Sequence, residues 1–206
     1  MSKSDLSSVF LATVLVFGAS GCRTIDLVDV QSVAPGIVLD IRYATTNNFT
    51  GQRLYPVAKC ALRQKTAAKL REVQIELADL GFGLKVFDGY RPLSVQRKMW
   101  AIFPNHDYVA DPRKGSRHNR GAAVDLTLIR LSDGAELLMP TPYDAFTPSA
   151  HRDYMKLDAE AIRNRELLES AMSRHGFVGL PTEWWHFDDT DWKHYRILDV
   201  DYSEIR

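Results

Sequence analysis

Ser116-Arg117-His118-Asn119-Arg120-Gly121-Ala122-Ala123-Val124-Asp125 is the stretch on which the reading of this chain turns. It leaves a polar segment, residues 111–120, that carries Pro112 and Gly115 and reads as a loop. It enters residues 122–131, which are rich in β-formers and read as a central strand. His118 therefore closes a loop and Asp125 sits inside the following strand. About sixty residues later, Glu183-Trp184-Trp185-His186 adds a second imidazole and a second carboxylate. A catalytic zinc ion takes three protein ligands and keeps one position open. His118, Asp125 and His186 supply three, and Gly121 and Ala122 leave room for the backbone to bend close to the metal. The open position suits a water whose pKa the metal brings toward neutrality. Glu183, three residues before His186, is placed to take that water's proton and return it to a leaving amine. Cobalt or nickel would suit the same donors. Taken singly, each fragment is ordinary: a His and an Asp at this spacing are often surface or capping residues. The two tryptophans read as core and cavity wall.

Working outward, residues 65–80 place Leu70, Val73, Leu77 and Leu80 at helical spacing, and Gly81 stops the helix. Residues 84–88 read as a strand. Ser94 is positioned to cap a short helix running to about Phe103. Residues 138–149 carry three prolines and read as a long loop. Residues 158–175 form a second amphipathic helix stopped by Gly176. Residues 177–180, 184–188 and 195–200 are short strand candidates, and residues 23–60 read as short strands and loops. The sum is an α+β fold: one domain, residues 23–206, with a central, mostly antiparallel sheet flanked by helices.

The 206 residues suffice for one domain with a real core. Lys plus Arg and Asp plus Glu are 26 each, so the formal net charge is zero. That balance gives no electrostatic reason to expect nucleic acid as a partner. The N-terminus differs in character. A basic start at Lys3, an apolar run from Val9 to Phe17 and small residues before Cys22 describe an export signal over residues 1–22. Small residues directly before a Cys are similar to a bacterial lipoprotein signal, in which Cys22 would carry the lipid. The apolar run is too short to span a bilayer as a mature helix. Membrane association is thus expected only through that lipid, and Cys60 is left as a small core residue.

Ser-x-His-x-x-Gly-x-Ala-x-Asp followed by Glu-x-x-His resembles the D-Ala-D-Ala metallopeptidases, whose superfamily includes the hedgehog domain. The closer resemblance is to the vancomycin-resistance type of D-alanyl-D-alanine dipeptidase. It spans about residues 26–200 and includes Arg42-Tyr43-Ala44-Thr45, Asn48-Phe49-Thr50-Gly51, Asp88-Gly89-Tyr90-Arg91-Pro92 and Asp125-Leu126-Thr127-Leu128. The resemblance implies a hedgehog/D-Ala-D-Ala peptidase-like fold and one zinc ion per chain on His118, Asp125 and His186. It implies Glu183 as catalytic base and Arg91 as the group that polarises the scissile carbonyl. It implies Tyr43 and Asp144 at the substrate's ammonium, and Ser116 near its carboxylate. The chain departs from the family at Arg117, where relatives often have a small residue, in the loop from Asp144 to His151, and in its export-like N-terminus. His151 is given no role, and His106, His175 and His194 read as surface or helix-end residues.

The implied activity is zinc-dependent hydrolysis of free D-alanyl-D-alanine, a small-molecule dipeptide, to two D-alanines. The alternative is a carboxypeptidase acting on peptidoglycan stem peptides. A zinc-binding recognition domain without catalysis is the third reading, disfavoured by the presence of both Glu183 and Arg91. The N-terminus implies a periplasmic, lipid-anchored enzyme that recycles or feeds on the dipeptide, or a cytoplasmic one if the signal is silent.

Overall fold

The computed structural model describes residues 26–205. The expected export signal and Cys22 lie outside the described residues. The chain begins with β1 (Leu27–Asp29), the single-turn helix α1 (Val30–Val33) and β2 (Val38–Leu39). Then come β3 (Ala61–Arg63), α2 (Gln64–Asp79), β4 (Phe82–Asp88) and α3 (Leu93–Ile102). The second half holds β5 (Ala123–Arg130), α4 (Ala159–Arg174), β6 (Phe177–Gly179) and β7 (His186–Asp189). Five strands make the main sheet in the order β2-β4-β5-β7-β6, and β1 pairs with β3 beside it. Only the β2–β4 pairing is parallel; the others in the main sheet are antiparallel. The architecture is the α+β single domain that the sequence implies.

Helix α2 buries Ala67, Leu70, Val73, Gln74 and Leu77, a stripe repeating every three to four residues. Each fully buried Leu there stabilises the fold by roughly 1.5–3 kcal/mol. Gln74 accepts a hydrogen bond from the Leu84 N–H at 2.8 Å, which ties the helix to β4. Along β5, Val124, Leu126 and Leu128 alternate with Asp125 and Thr127, so apolar side chains take one face and the carboxylate the other. Cys60 is fully buried, with no disulfide partner among the described residues, as a small core residue would be.

Three local expectations are corrected. Helix α3 starts at Leu93 behind Pro92, and Ser94 is not its cap; the Asp199 carboxylate accepts from the Ser94 N–H at 2.7 Å instead. Residues 195–200 are not a strand, because their hydrogen bonds go to the same helix start. Leu198 O accepts from Leu93 N, and Val200 N donates to the Tyr90 hydroxyl. The strand expected from Trp184 begins at His186; Trp184 and Trp185 lie in the β6–β7 turn, both buried.

Candidate active site

Strand register assembles the floor of the site. Asp125 on β5 stands opposite His186 on β7 and, on its other side, opposite Asp88 on β4. That row exists because β4 bulges: Val86 pairs with Leu126, but the next pair is Asp88 with Asp125, leaving Phe87 as the extra residue. A bulge re-aims the side chains that follow it, and without this one Phe87 would occupy the position of Asp88. His118 comes from a 3-10 turn, His118–Arg120, just before β5. Gly121 ends that turn at φ 67° and packs so tightly that a Cβ would lie 2.6 Å from the Leu27 side chain. Its requirement is thus the left-handed turn against β1, not the room beside a metal that the sequence suggested.

His118 donates through Nδ1 to the Gly89 carbonyl at 2.7 Å, which turns Nε2 inward. His186 pairs through Nε2 with Asp188 Oδ1 at 2.9 Å, which leaves Nδ1 pointing inward. The third inward atom is Asp125 Oδ1. The three atoms are 3.2 Å (His118–His186), 3.4 Å (His118–Asp125) and 2.9 Å (His186–Asp125) apart. Three lone pairs so placed repel one another unless a cation sits among them. Tetrahedral zinc with bonds of about 2.0–2.1 Å has ligand-to-ligand edges of about 3.3 Å, so the donor set and its spacing fit. In the metal-free protein a proton serves instead. Burial would lower the His186 pKa, but Asp125 and Asp188 outweigh it and raise it to about 10. Despite its burial, Asp125 is held below the usual carboxylate range by the two imidazoles.

Glu183 Oε2 lies 4.0 Å from His186 Nδ1, beside the triangle without joining it. Burial pushes its pKa up to about 7; Asp125 adds to this, and His186 and Arg91 pull against it. The turn that carries Glu183 and His186 is clamped by Arg152, whose guanidinium donates to the carbonyls of Leu180, Trp184 and His186 at 2.9–3.0 Å. Arg91 is fixed by Asp88, which accepts from its Nε at 3.1 Å and Nη2 at 2.7 Å, and by Gln96, which accepts from Nη1 at 3.0 Å. Tyr55 donates to the other Asp88 oxygen at 2.7 Å. Three of the five guanidinium N–H groups are thereby used, and two remain for the cleft.

Tyr43 sits in a 3-10 turn rather than in a strand, and its hydroxyl reaches the Asp144 carboxylate at 3.0 Å. Asp144 has φ 60°, a left-handed conformation that Asp tolerates better than most residues. Burial, with Asp125 adding to it, pushes its pKa well up. Tyr143 donates to Asp125 Oδ2 at 3.0 Å and stacks on Phe87 with ring centroids 4.6 Å apart. Ser116 accepts from the Asn119 N–H at 3.2 Å, while the Asn119 amide donates to Arg91 O at 2.8 Å.

All eight residues named from the sequence as metal, catalytic or substrate contacts line one cleft of about 190 Å³, together with Trp185. His106, expected only at the surface, is exposed and also lines its mouth. Sequence reasoning assigned no role to Asp88, Gln96, Asn119, Tyr143, Arg152 or Asp188. Asp88 stood in a quoted motif, yet the bulge that aims it has no local sequence signal.

The family described as D-ala-D-ala dipeptidase, peptidase M15, matches residues 23–205. A D-alanyl-D-alanine dipeptidase of Escherichia coli is 36% identical over 181 residues, 87% of this chain and 93% of that protein. One of Enterococcus faecalis is 32% identical over 189 residues, 82% of this chain and 90% of that protein. Among solved structures, the vancomycin-resistance D,D-pentapeptidase VanY in complex with Zn(II) covers 68% of this chain and 78% of its own, with 16% identity and TM-score 0.41. With the match extending over nearly the whole length, the chain belongs to the peptidase M15 family of D-Ala-D-Ala dipeptidases and is a peptidase, a hydrolase.

Proposed function

We propose that the protein is a zinc-dependent dipeptidase that hydrolyses free D-alanyl-D-alanine. The observation that carries this is Glu183 held beside the triangle of His118, Asp125 and His186, in a cleft that Arg91 also faces. Bound to those three side chains, zinc supplies a Lewis acid and a more acidic water. Glu183 takes the proton of the attacking water. Burial makes its carboxylate a better proton acceptor than an exposed one, and it passes that proton to the nitrogen of the departing D-alanine. Arg91, immobilised by Asp88 and Gln96, directs its two remaining N–H groups at the carbonyl oxygen as negative charge develops there. Asp144, with Tyr43 donating to it, receives the substrate's ammonium; that cation offsets the carboxylate's cost of burial. A chain extending from the amine would leave Asp144 unpaired, which is the reason to expect dipeptides over longer peptides.

The reading is tested by turnover of D-alanyl-D-alanine against its L,L isomer and an N-acylated tripeptide, with and without chelator. Expected is chelator-sensitive cleavage of the free D,D-dipeptide alone. Preferred cleavage of the N-acylated tripeptide would make the protein a carboxypeptidase of stem peptides. From the composition of residues 1–22 we also propose a periplasmic enzyme, anchored through Cys22, that acts on dipeptide released by wall turnover. Recovery of the full-length protein in the cytosolic fraction would overturn that location.

A further inference from the structure

Each inward atom of the triangle belongs to a side chain whose far atom is held from outside. The Gly89 carbonyl holds His118 Nδ1, and Asp188 holds His186 Nε2. For Asp125 the outer partner is the Tyr143 hydroxyl, which donates to Oδ2 at 3.0 Å. It is the one hydrogen-bond donor to that oxygen among the described residues. A carboxylate differs from an imidazole in that both of its oxygens can bind the same ion. Were Asp125 to bind through both, it would fill the coordination position that a catalytic zinc keeps open for water.

The count of protons directs the Tyr143 hydroxyl to Asp125. A phenol has one proton to give. Two acceptors lie within reach of Tyr143 Oη, Asp125 Oδ2 at 3.0 Å and Tyr43 Oη at 3.4 Å. Tyr43 spends its own proton on Asp144, 3.0 Å away. The carboxylate of Asp125 is both the nearer acceptor and the stronger one, so it takes the proton of Tyr143. The ring is held as well. It stacks on Phe87, with centroids 4.6 Å and planes 26° apart, and meets Trp185 edge-on at 5.5 Å. Phe87 is the extra residue of the β4 bulge, so the irregularity that aims Asp88 also builds the platform for Tyr143. Tyr143 stands behind the cleft: it lines a separate cavity with Phe87 and Thr127, while Tyr43, Asp125 and Trp185 line the cleft itself.

We propose that Tyr143 is a positioning residue whose hydroxyl occupies Asp125 Oδ2, restricts Asp125 to binding the metal through Oδ1, and so keeps the water's coordination position free. This rests on the reading of His118, Asp125 and His186 as the metal ligands. Tyr143 acts through Asp125 and touches neither the ion nor the substrate.

The test is Tyr143→Phe, which removes one oxygen and leaves the ring on Phe87. Cobalt(II) is loaded in place of zinc, and its visible absorption reports the coordination number, because a four-coordinate cobalt ion absorbs more strongly than a five-coordinate one. The unaltered protein is expected to give the intense four-coordinate spectrum. The variant is expected to lose intensity as the freed oxygen joins the metal. At saturating zinc its kcat should fall by about tenfold to a hundredfold, the usual effect of losing an outer partner of a ligand, with a smaller change in KM. A five-coordinate spectrum in the unaltered protein, or a spectrum that the substitution leaves unchanged, would overturn the proposal. So would weaker metal binding at unchanged coordination number, since Tyr143 would then tune the strength of the Asp125 bond and not its number. If the unaltered protein takes up neither metal, or His118→Ala takes them up as well as it does, the ligand set itself fails and the role of Tyr143 with it. A four-coordinate spectrum in both proteins removes only the role of Tyr143.

Discussion

The floor and the rim of the cleft are built in opposite ways. Asp88, Asp125 and His186 stand in one row across three hydrogen-bonded strands, and every inward atom has its outer partner fixed. Tyr43, Asp144 and His106 come from turns and loops and are held by side-chain contacts, Tyr43 to Asp144 and Tyr143 and His106 to Trp100. Sheet register holds atoms to a few tenths of an ångström, as a metal site requires. Loops tolerate substitution, as selection among similar substrates requires. The sheet therefore fixes two of the three metal-type donors, Asp125 and His186, while His118, Glu183, Arg91 and the residues proposed to recognise substrate reach the cleft from turns and loops.

The sharpest break between the two falls at Glu183. Glu183→Gln keeps the side chain's shape and removes only the proton acceptor. It is expected to lower kcat by about 10²–10⁴-fold, with zinc content, read by elemental analysis, unchanged. Loss of zinc along with activity would place Glu183 among the ligands. Next comes Arg152, which is remote from substrate but ties together the turn bearing Glu183 and His186. Arg152→Ala orphans the Trp184 carbonyl and removes one of two donors from the Leu180 and His186 carbonyls, and is expected to cost about 3 kcal/mol in denaturant unfolding of the metal-free protein. A loss below about 1 kcal/mol would show that the hairpin stands without it. At the rim, Asp144→Asn is expected to raise KM for free D-alanyl-D-alanine by about tenfold to a hundredfold and leave zinc binding untouched. An equal loss on N-acylated substrates would remove Asp144 from ammonium recognition.

The smallest effect is in pH. The His186 pKa is raised to about 10 in the metal-free site, so His186 carries a proton at neutral pH that a metal must displace. Metal affinity should therefore rise with pH, about tenfold per unit for that proton, up to roughly pH 10. Zinc added to weakly buffered apoprotein at pH 8 is expected to release about one proton from His186. No acidification would contradict this protonation state.

The same division governs what the sequence could disclose. His118, Asp125, Glu183 and His186 were legible because metal chemistry accepts few residue types, and short spacings place them on a turn and two strands. The helices 64–79 and 159–174 were legible from their apolar repeat and the glycines that end them. Asp88 was not, because its aim depends on the bulge at Phe87, which emerges only when β4 pairs with β5. Tyr143 and Arg152 act through partners 18 to 34 positions away in sequence, contacts that no local pattern encodes. Residues 195–200 looked like a strand because they are extended and partly apolar; the ladder they lack is replaced by bonds to the start of α3.

The claim beneath all of this is that one divalent ion sits between three particular atoms. Anomalous diffraction at the zinc edge from crystals of the zinc-loaded protein addresses it directly. Expected is a single peak about 2.0–2.2 Å from His118 Nε2, Asp125 Oδ1 and His186 Nδ1. A peak elsewhere, or none at full zinc loading, would contradict it.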